Sequence, residues 1–149
     1  MKSLIIYESV HHGNTEKIGK TIAEELNGDI VRISSVNKNT LNEYELIGFG
    51  SGIYYGKLHK NIFDFINGLK IVYNKKAFVF STSGQGKIKY NKLAEEKLKE
   101  KNFEVIGSFT CKGYDTFGPL KLLGGIAKNR PDSSDFQKAK DFAQELLKY

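Results

Sequence analysis

Short apolar runs alternate along this chain with longer stretches in which apolar residues recur at helical spacing. The runs that predict β-strands are residues 4–7, 30–33, 46–49, 77–80 and 103–109. Alternation of this kind is typical of repeated strand–helix units, which form a parallel sheet. The first, third and fourth runs are almost continuously apolar. We therefore expect these three strands at the centre of the sheet, covered by helices on both faces.

Amphipathic helices are predicted between these strands and at the end of the chain. The first lies near residues 14–27, where apolar side chains fall on one helical face. The apolar stripes are Ile18, Ile22, Ala23 and Leu26; Leu58, Ile62, Phe65, Ile66 and Leu69; Tyr90, Leu93, Ala94 and Leu98; and Phe136, Ala139, Ala143, Leu146 and Leu147. The last helix is expected to begin near Asp132. Residues 37–44 contain few apolar positions and predict a short helix or a turn.

Composition and cysteine use narrow the class of protein. The chain has 149 residues, of which 40% are hydrophobic, so we expect one domain over residues 1–149 with a substantial core. Its single cysteine, Cys111, excludes an internal disulfide, and we expect it to be buried and structural. The N-terminal region lacks the long apolar stretch of a signal peptide or membrane span. We therefore expect a cytoplasmic protein without stable membrane insertion.

The charge balance alone does not identify a partner. The chain carries 23 Lys and Arg against 17 Asp and Glu, a formal net charge of +6. The lysines are scattered over the predicted helices, where they alternate with Glu and apolar residues, as on solvated helix faces. A nucleic-acid-binding protein would need a concentrated basic stripe with interleaved aromatic residues, or a recognised motif, and the sequence contains neither. We expect no nucleic-acid partner and no metal site.

The segments after the first, third and fourth strands are rich in Gly, Ser and Asn. They read Ser9-Val10-His11-His12-Gly13-Asn14-Thr15, Gly50-Ser51-Gly52-Ile53-Tyr54-Tyr55-Gly56 and Ser81-Thr82-Ser83-Gly84-Gln85-Gly86. In a doubly wound parallel sheet, ligands bind outside the carboxyl ends of the strands. Residues 9–15, 51–56 and 81–86 are therefore the candidate binding residues, and we predict that they meet at one edge of the sheet.

The first of these loops has the chemistry of a phosphate site. It opens a predicted helix, whose first backbone N–H groups are free and whose dipole favours an anion. Gly13 permits close backbone approach, while the Ser9 and Thr15 hydroxyls and the Asn14 amide can donate hydrogen bonds. The loop lacks the Gly-Lys-Ser/Thr ending of a nucleotide-triphosphatase P-loop and the spacing of the dinucleotide fingerprint. The alternative is that these are ordinary turn and N-cap residues.

These motifs resemble those of the flavodoxin family, and the resemblance covers essentially the whole chain. The residues that carry it are Gly13-Asn14-Thr15-Glu16-Lys17-Ile18 and Gly50-Ser51-Gly52. The resemblance implies an α/β, doubly wound, three-layer fold with a five-stranded parallel sheet of order 2-1-3-4-5. It also implies noncovalently bound FMN, with its phosphate on residues 9–15 and its isoalloxazine ring between loops 51–56 and 81–86.

The chain departs from the usual flavodoxin pattern in both cofactor loops. His11 and His12 replace the usual Ser or Thr, so one of them is either a phosphate ligand or an exposed loop residue. Tyr54 stands where Gly is usual. Tyr54 or Tyr55 is the candidate stacking partner of the flavin, and the alternative is an exposed aromatic pair.

Basic residues near the ring loops suggest a less negative flavin potential than in flavodoxins with an acidic rim. These residues are Lys57, His59, Lys60, Lys87 and Lys89. Positive charge near the ring stabilises a reduced, anionic flavin, whereas an acidic rim destabilises it. We therefore hypothesise that the flavin reduction potential is less negative here than in flavodoxins with an acidic rim.

The connection between Cys111 and the last helix is long for a compact domain. It either packs over the flavin pocket or a partner, or forms a short helix that covers the sheet edge. Tyr114-Asp115-x-Phe117 and Tyr55-Gly56-x-x-His59 are similar, more weakly, to the bacterial flavodoxin-like protoporphyrinogen oxidase. The long insertion after the fourth strand that distinguishes those enzymes is missing.

The resemblance thus implies an electron-transfer protein that shuttles electrons between redox partner proteins. Because this chain is basic, we expect those partners to have acidic docking surfaces. The cofactor supplies the chemistry, so no catalytic side chain is required. The alternative is an FMN-dependent oxidoreductase acting on quinones or protoporphyrinogen. A third reading is a flavin-free module that binds a partner.

Overall fold

The computed structural model describes residues 1–10, 12–114 and 125–149. Within them the strands are β1 (Ser3–Glu8), β2 (Asp29–Arg32), β3 (Leu46–Tyr54), β4 (Lys57–Leu58), β5 (Lys76–Ser83) and β6 (Glu104–Lys112). Five strands run parallel in the order β2-β1-β3-β5-β6, and β4 pairs antiparallel with β3. Without the short hairpin strand β4, this is the predicted order 2-1-3-4-5, which is confirmed.

Helices cover both faces of the sheet. They are α1 (Asn14–Leu26), α2 (Lys60–Asn67), α3 (Lys92–Glu100) and α4 (Ser133–Leu146), with 3₁₀ helices at Ile33–Ser35, Lys38–Glu43 and Ile88–Asn91. Helices α1 and α4 pack on one face, and α2 and α3 pack on the other. The short helix predicted within residues 37–44 is the second 3₁₀ helix. In the described part of the chain, no helix combines the length and the apolar character needed to span a membrane.

Successive side chains of the central strands enter two separate apolar layers. In β1, Leu4 and Ile6 join the layer under α2 and α3, whereas Ile5 and Tyr7 join the layer under α1 and α4. Side chains alternate across a strand, so a strand buried on both faces must be apolar throughout. The predicted central strands β1, β3 and β5 are nearly continuously buried, while β2 and β6 lie half-buried at the edges.

Two of the segments predicted as loops begin as strand ends. β3 continues through Tyr54 and β5 through Ser83, so residues 51–54 and 81–83 belong to the sheet. Ser51 pairs with Glu8 and Ser81, and Ser81 also pairs with Thr110. Backbone pairing along parallel neighbours does not require apolar side chains, so small polar residues extend the ladder beyond the apolar runs.

Leu58 was predicted on the second helix but belongs to strand β4. The helix begins only at Lys60, where the His59 side chain accepts a hydrogen bond from the Asn61 N–H at 2.9 Å. Leu58 is buried all the same, because β4 folds back beside β3. The apolar stripe therefore marked a buried residue correctly and its secondary structure wrongly.

Candidate functional site

A cleft lies at the carboxyl ends of the central strands, where the three predicted segments meet. Its cavity volume is about 30 Å³. Its lining residues are Ser9, Val10, Asn14, Thr15, Gly52, Ile53, Tyr54, Thr82, Ser83, Gly113 and Tyr114. Each predicted segment contributes to this lining, and the last two residues directly follow β6.

The N-terminus of α1 points its free backbone N–H groups toward the carboxyl ends of these strands. Gly13 is the N-cap residue with a φ of 65°, and no side chain of the described residues caps the helix. Left-handed backbone favours glycine, so the role of Gly13 is conformational. A Cβ at this position would meet no described atom within 4 Å, and Gly13 itself does not line the cleft. The first N–H groups of α1 are left for a ligand.

Two buried threonine hydroxyls join α1 to β5 beside the cleft. Thr15 Oγ1 and Thr82 Oγ1 lie 2.8 Å apart, and both residues are buried. Within such a pair one hydroxyl donates to the other, and the accepting hydroxyl keeps its own proton. The pair can therefore offer one further hydrogen bond to an acceptor in the cleft.

The Ser9 hydroxyl has no hydrogen-bond partner among the described residues, although it is buried. Its backbone carbonyl is held by Arg32, whose Nη1 donates to it at 3.0 Å and also contacts Glu8 Oε1 at 3.2 Å. A buried polar group without a partner costs about 1–3 kcal/mol. A fixed loop that presents such a group beside a helix N-terminus has the donor set of a phosphate monoester site.

The second segment forms a tight hairpin between β3 and β4. Tyr55 and Gly56 have φ angles of 54° and 78°, and they join the paired residues Tyr54 and Lys57. Two positive φ angles in a two-residue connection are characteristic of a type I′ turn. Tyr55 is 89% exposed, and neither Tyr55 nor Gly56 lines the cleft.

Tyr54 is the aromatic residue of this segment that faces the cleft. It is half-buried, and its ring and the His59 ring meet in a T-shaped arrangement at a centroid distance of 5.1 Å and an angle of 86°. A Cβ on Gly52 would lie 3.4 Å from the Tyr54 hydroxyl oxygen. Tyr54 therefore lies over Gly52 and forms one wall of the cleft.

Two predicted serines form hydrogen bonds within the protein and do not line the cleft. Ser51 accepts a hydrogen bond from the His59 N–H at 2.8 Å and donates to the Gly52 carbonyl at 2.6 Å. Ser81 donates to Thr110 Oγ1 at 3.0 Å. Both are fully buried, so their hydroxyls support the strands that carry the cleft.

The third segment reaches the cleft only through its strand end. Thr82 and Ser83 line it, whereas Gly84, Gln85 and Gly86 do not. The Gly86 N–H donates to Ser83 Oγ at 2.8 Å, which closes the turn.

His12 and Ser51 also lie outside the lining, and His11 lies outside the described residues.

Gly113 and Tyr114 line the cleft without having been named as candidate binding residues. Asn14 Nδ2 donates to the Tyr114 carbonyl at 2.9 Å, and the Tyr114 ring meets the His12 ring at a centroid distance of 4.4 Å. A Cβ on Gly113 would lie 2.7 Å from Asn14 Nδ2, so this close approach needs glycine. The long connection was expected over the pocket or at the sheet edge. Its first residues reach the cleft, and residues 115–124 lie outside the described residues.

An ion pair stabilises the backbone next to Tyr114. The Tyr114 N–H donates to the Arg130 carbonyl at 3.0 Å, and the Arg130 guanidinium contacts both carboxylate oxygens of Asp135 at 2.6 and 2.7 Å. Arg130 holds the pKa of the buried Asp135 carboxyl below its usual value. Asp132 and Asp135 also form a capping box at the start of α4.

Cys111 is unsuited to thiolate chemistry. The residue is 6% exposed, and burial raises the pKa of its thiol to about 12. Among the described residues, no group of His, Cys, Asp and Glu is arranged to hold a metal ion.

Comparison with known proteins relates this geometry to one family. The family model of the flavodoxin domain matches residues 4–117. The chain is 54% identical over 150 residues to the uncharacterized protein MJ0298 of Methanocaldococcus jannaschii, covering 99% of each chain. It is 31% identical over 130 residues to a flavodoxin of Buchnera aphidicola, covering 76% of this chain and 72% of that protein.

The fold is also shared with solved flavodoxin structures. A flavodoxin from the domain Archaea superposes with a TM-score of 0.75 at 18% identity, covering 99% of this chain and 97% of the other. At that identity the match concerns the fold.

Proposed function

Because this chain belongs to the flavodoxin family, we propose that it binds FMN in the cleft at the carboxyl ends of its strands and carries electrons between proteins. The observation that carries the proposal is the buried, unpartnered Ser9 hydroxyl beside the uncapped N-terminus of α1. A phosphate monoester would satisfy both features at once.

The phosphate would be held by hydroxyls and backbone N–H groups. Ser9 and the Thr15–Thr82 pair supply hydroxyl donors, and the first turn of α1 supplies N–H groups. One Asn14 Nδ2 proton is already donated to the Tyr114 carbonyl, so Asn14 serves first to hold that strand end beside the cleft. The proposed site contains no lysine, and its anion specificity rests on the helix dipole and neutral donors.

Tyr54 would cover one face of the flavin ring. Its half-buried ring is in edge-to-face contact with the His59 ring, which restricts its orientation before the cofactor binds. Pre-orientation of an aromatic wall lowers the entropy lost on binding. Tyr55 is exposed on the hairpin turn and does not line the cleft.

Bound FMN would supply one- and two-electron chemistry, and the protein would set its potential and its partner. Exposed lysines near the ring segments give the rim its charge. Lys60 forms an ion pair with Asp64 at 2.6 Å, whereas no ion pair of the described residues involves Lys57, Lys87 or Lys89. We propose that these lysines face acidic partners and raise the flavin potential.

Electron transfer from the reduced, FMN-loaded protein tests the carrier role. We expect faster single-turnover oxidation by succinylated, acidic cytochrome c than by native, basic cytochrome c, and the faster reaction should slow as salt is added. The triple charge reversal of Lys57, Lys87 and Lys89 to Glu should invert this preference. Steady-state turnover with quinones or protoporphyrinogen, at a rate exceeding transfer to proteins, would favour the oxidoreductase alternative instead.

A further inference from the structure

A second cavity lies at the amino ends of the strands, on the opposite edge of the sheet from the cleft. It measures about 590 Å³ and lies between the 3₁₀ helix Lys38–Glu43 and the connection 68–75 that joins α2 to β5. Its floor is apolar and belongs to the core. The floor residues are Leu41, Ile47, Leu69, Val72 and Phe103.

Hydrogen bonds to Lys101 and Asn102 anchor connection 68–75, which forms one wall of the cavity. Lys101 Nζ donates to the carbonyls of Asn67 and Leu69 at 3.1 and 2.7 Å. The Val72 carbonyl accepts from Asn102 Nδ2 at 2.7 Å, and the Val72 N–H donates to the Lys101 carbonyl at 3.0 Å. Protein interiors are normally close-packed. These bonds hold the connection at the end of α3, so the cavity beside it is built into the fold.

The rim of this cavity is positively charged. Lys38, Lys70 and Lys75 line it, and none of the described lining residues carries a carboxylate. Lys75 is half-buried and donates to the Tyr44 carbonyl at 2.6 Å. Burial lowers the pKa of Lys75, and Glu45 only partly offsets this effect. An anion at this rim would compensate ammonium groups that the described lining residues leave without opposite charge.

Apolar side chains continue from the floor to the mouth of the cavity. Ile71 is 51% exposed and Tyr73 is 75% exposed, and both line it. A volume of this size falls in the range of about 300–1,000 Å³ typical of small-molecule sites, which combine apolar walls with a few placed polar groups. A flat protein-binding face would not enclose such a volume.

We propose that this cavity is a second ligand site, for a small organic anion with an aliphatic or aromatic body. The carboxylate or sulfonate would lie among the lysines at the rim, and the apolar body would lie against Leu41, Leu69 and Phe103. The proposal is independent of flavin binding, because the two sites lie at opposite edges of the sheet and share no lining residue.

Decanoate, below its micelle concentration, is a suitable probe of the full chain in two-dimensional ¹H–¹⁵N NMR spectra. We expect saturable shifts of the Leu69, Val72 and Phe103 amides and none in residues 9–15. Decyltrimethylammonium has the same apolar body and the opposite charge, so it should bind at least tenfold more weakly. Exposed Lys38 and Lys70 should each contribute, with K38E and K70E weakening decanoate roughly fivefold apiece.

K140E provides a matched charge reversal on α4, across the sheet from the cavity, and should leave the affinity for decanoate unchanged. The proposal is overturned if decanoate causes no shifts, if the shifts appear at residues 9–15, or if the cationic analogue binds equally well. Equal affinity of K38E, K70E and K140E would also overturn it. None of these results depends on whether FMN binds.

Discussion

Polar groups at the two ends of the parallel sheet differ in whether the protein supplies their hydrogen-bond partners. At the amino end, lysine side chains bond to backbone carbonyls, as Lys75 does at Tyr44 and Lys101 at Leu69. At the carboxyl end, the buried Ser9 hydroxyl has no partner among the described residues and no described side chain caps α1. These backbone carbonyls at the amino end are satisfied within the protein, whereas the carboxyl end keeps hydrogen-bond donors for the flavin phosphate.

This difference separates stability from binding. A polar group satisfied inside the protein contributes to folding, whereas one left unsatisfied lowers stability until a ligand arrives. Removing one of these amino-end hydrogen bonds should therefore change the free energy of unfolding, and substitutions in the cleft should change the affinity for FMN.

The largest expected effect is on FMN affinity, from Thr15→Glu. The substitution places a carboxylate at the first turn of α1, where the phosphate is proposed to bind, and breaks the pair with Thr82. Repulsion and loss of donors should weaken FMN by at least about a thousandfold, ~4 kcal/mol. Fluorescence titration of FMN measures this loss.

Two variants accompany Thr15→Glu. Thr21→Glu makes the same change further along α1 and should bind FMN as the parent does. Thr15→Val removes only the hydroxyl, so it reports a loss of affinity even if the glutamate variant folds poorly. Unchanged affinity in Thr15→Glu would place the phosphate elsewhere.

Asp135→Asn tests the ion pair with Arg130, a polar contact near the cleft that is formed within the protein. Asp135 is buried and accepts two hydrogen bonds from Arg130 and one from the Asp132 N–H. Breaking this pair should lower the free energy of unfolding by about 3 kcal/mol at neutral pH. Chemical denaturation measures the change, and Asp141→Asn, on the exposed face of α4, is the matched control.

The same pair predicts a pH dependence. Arg130 lowers the pKa of Asp135, so its stabilisation is fully present above the ordinary value of 3.8 and is lost as pH falls through the lowered pKa. The stability gap between the parent and Asp135→Asn should therefore narrow in strong acid. A gap that stays constant down to the acid limit would contradict this assignment.

Lys101→Met should lower stability by about 2 kcal/mol without changing FMN affinity. It removes the donor to the Asn67 and Leu69 carbonyls and keeps an apolar side chain of similar length. Lys99→Met makes the same exchange at an exposed position of α3 and should change little. A loss of FMN affinity in Lys101→Met would contradict the proposal that these amino-end bonds affect stability and not flavin binding.

Ser9→Ala is the converse test and has the smallest expected effect. Its buried hydroxyl has no described partner, so without flavin the variant should be about 1 kcal/mol more stable than the parent. FMN should bind about tenfold more weakly, ~1.4 kcal/mol, because one donor to the phosphate is lost. Ser35→Ala, at an exposed 3₁₀ position, controls for the substitution itself. Marked destabilisation with unchanged affinity would show a structural role for the hydroxyl.

The sequence predicted the layers and the strand positions because apolar periodicity reports burial directly. It stopped the strands too early at Phe49 and Phe80, because small polar residues beyond them continue the same backbone pairing. It left Tyr54 and Tyr55 equivalent, since the type I′ turn that points Tyr55 outward depends on the unpredicted strand β4.

The prediction of the cleft missed two lining residues that are distant from its first segment in the sequence, Gly113 and Tyr114. Asn14 and Tyr114 are 100 residues apart, and their hydrogen bond depends on tertiary structure. Gly113 and Tyr114 directly follow a strand at its carboxyl end, the same signal that identified the other three segments. Applying that rule to the fifth strand would have found them.

Titration of the purified protein with FMN and with riboflavin tests the central claim most directly. We expect saturable quenching of FMN fluorescence at one equivalent and at least about a hundredfold weaker binding of riboflavin, which lacks the phosphate. Equal affinity for the two flavins would contradict a phosphate site at residues 9–15. The absence of quenching with both flavins would contradict flavin binding in the cleft.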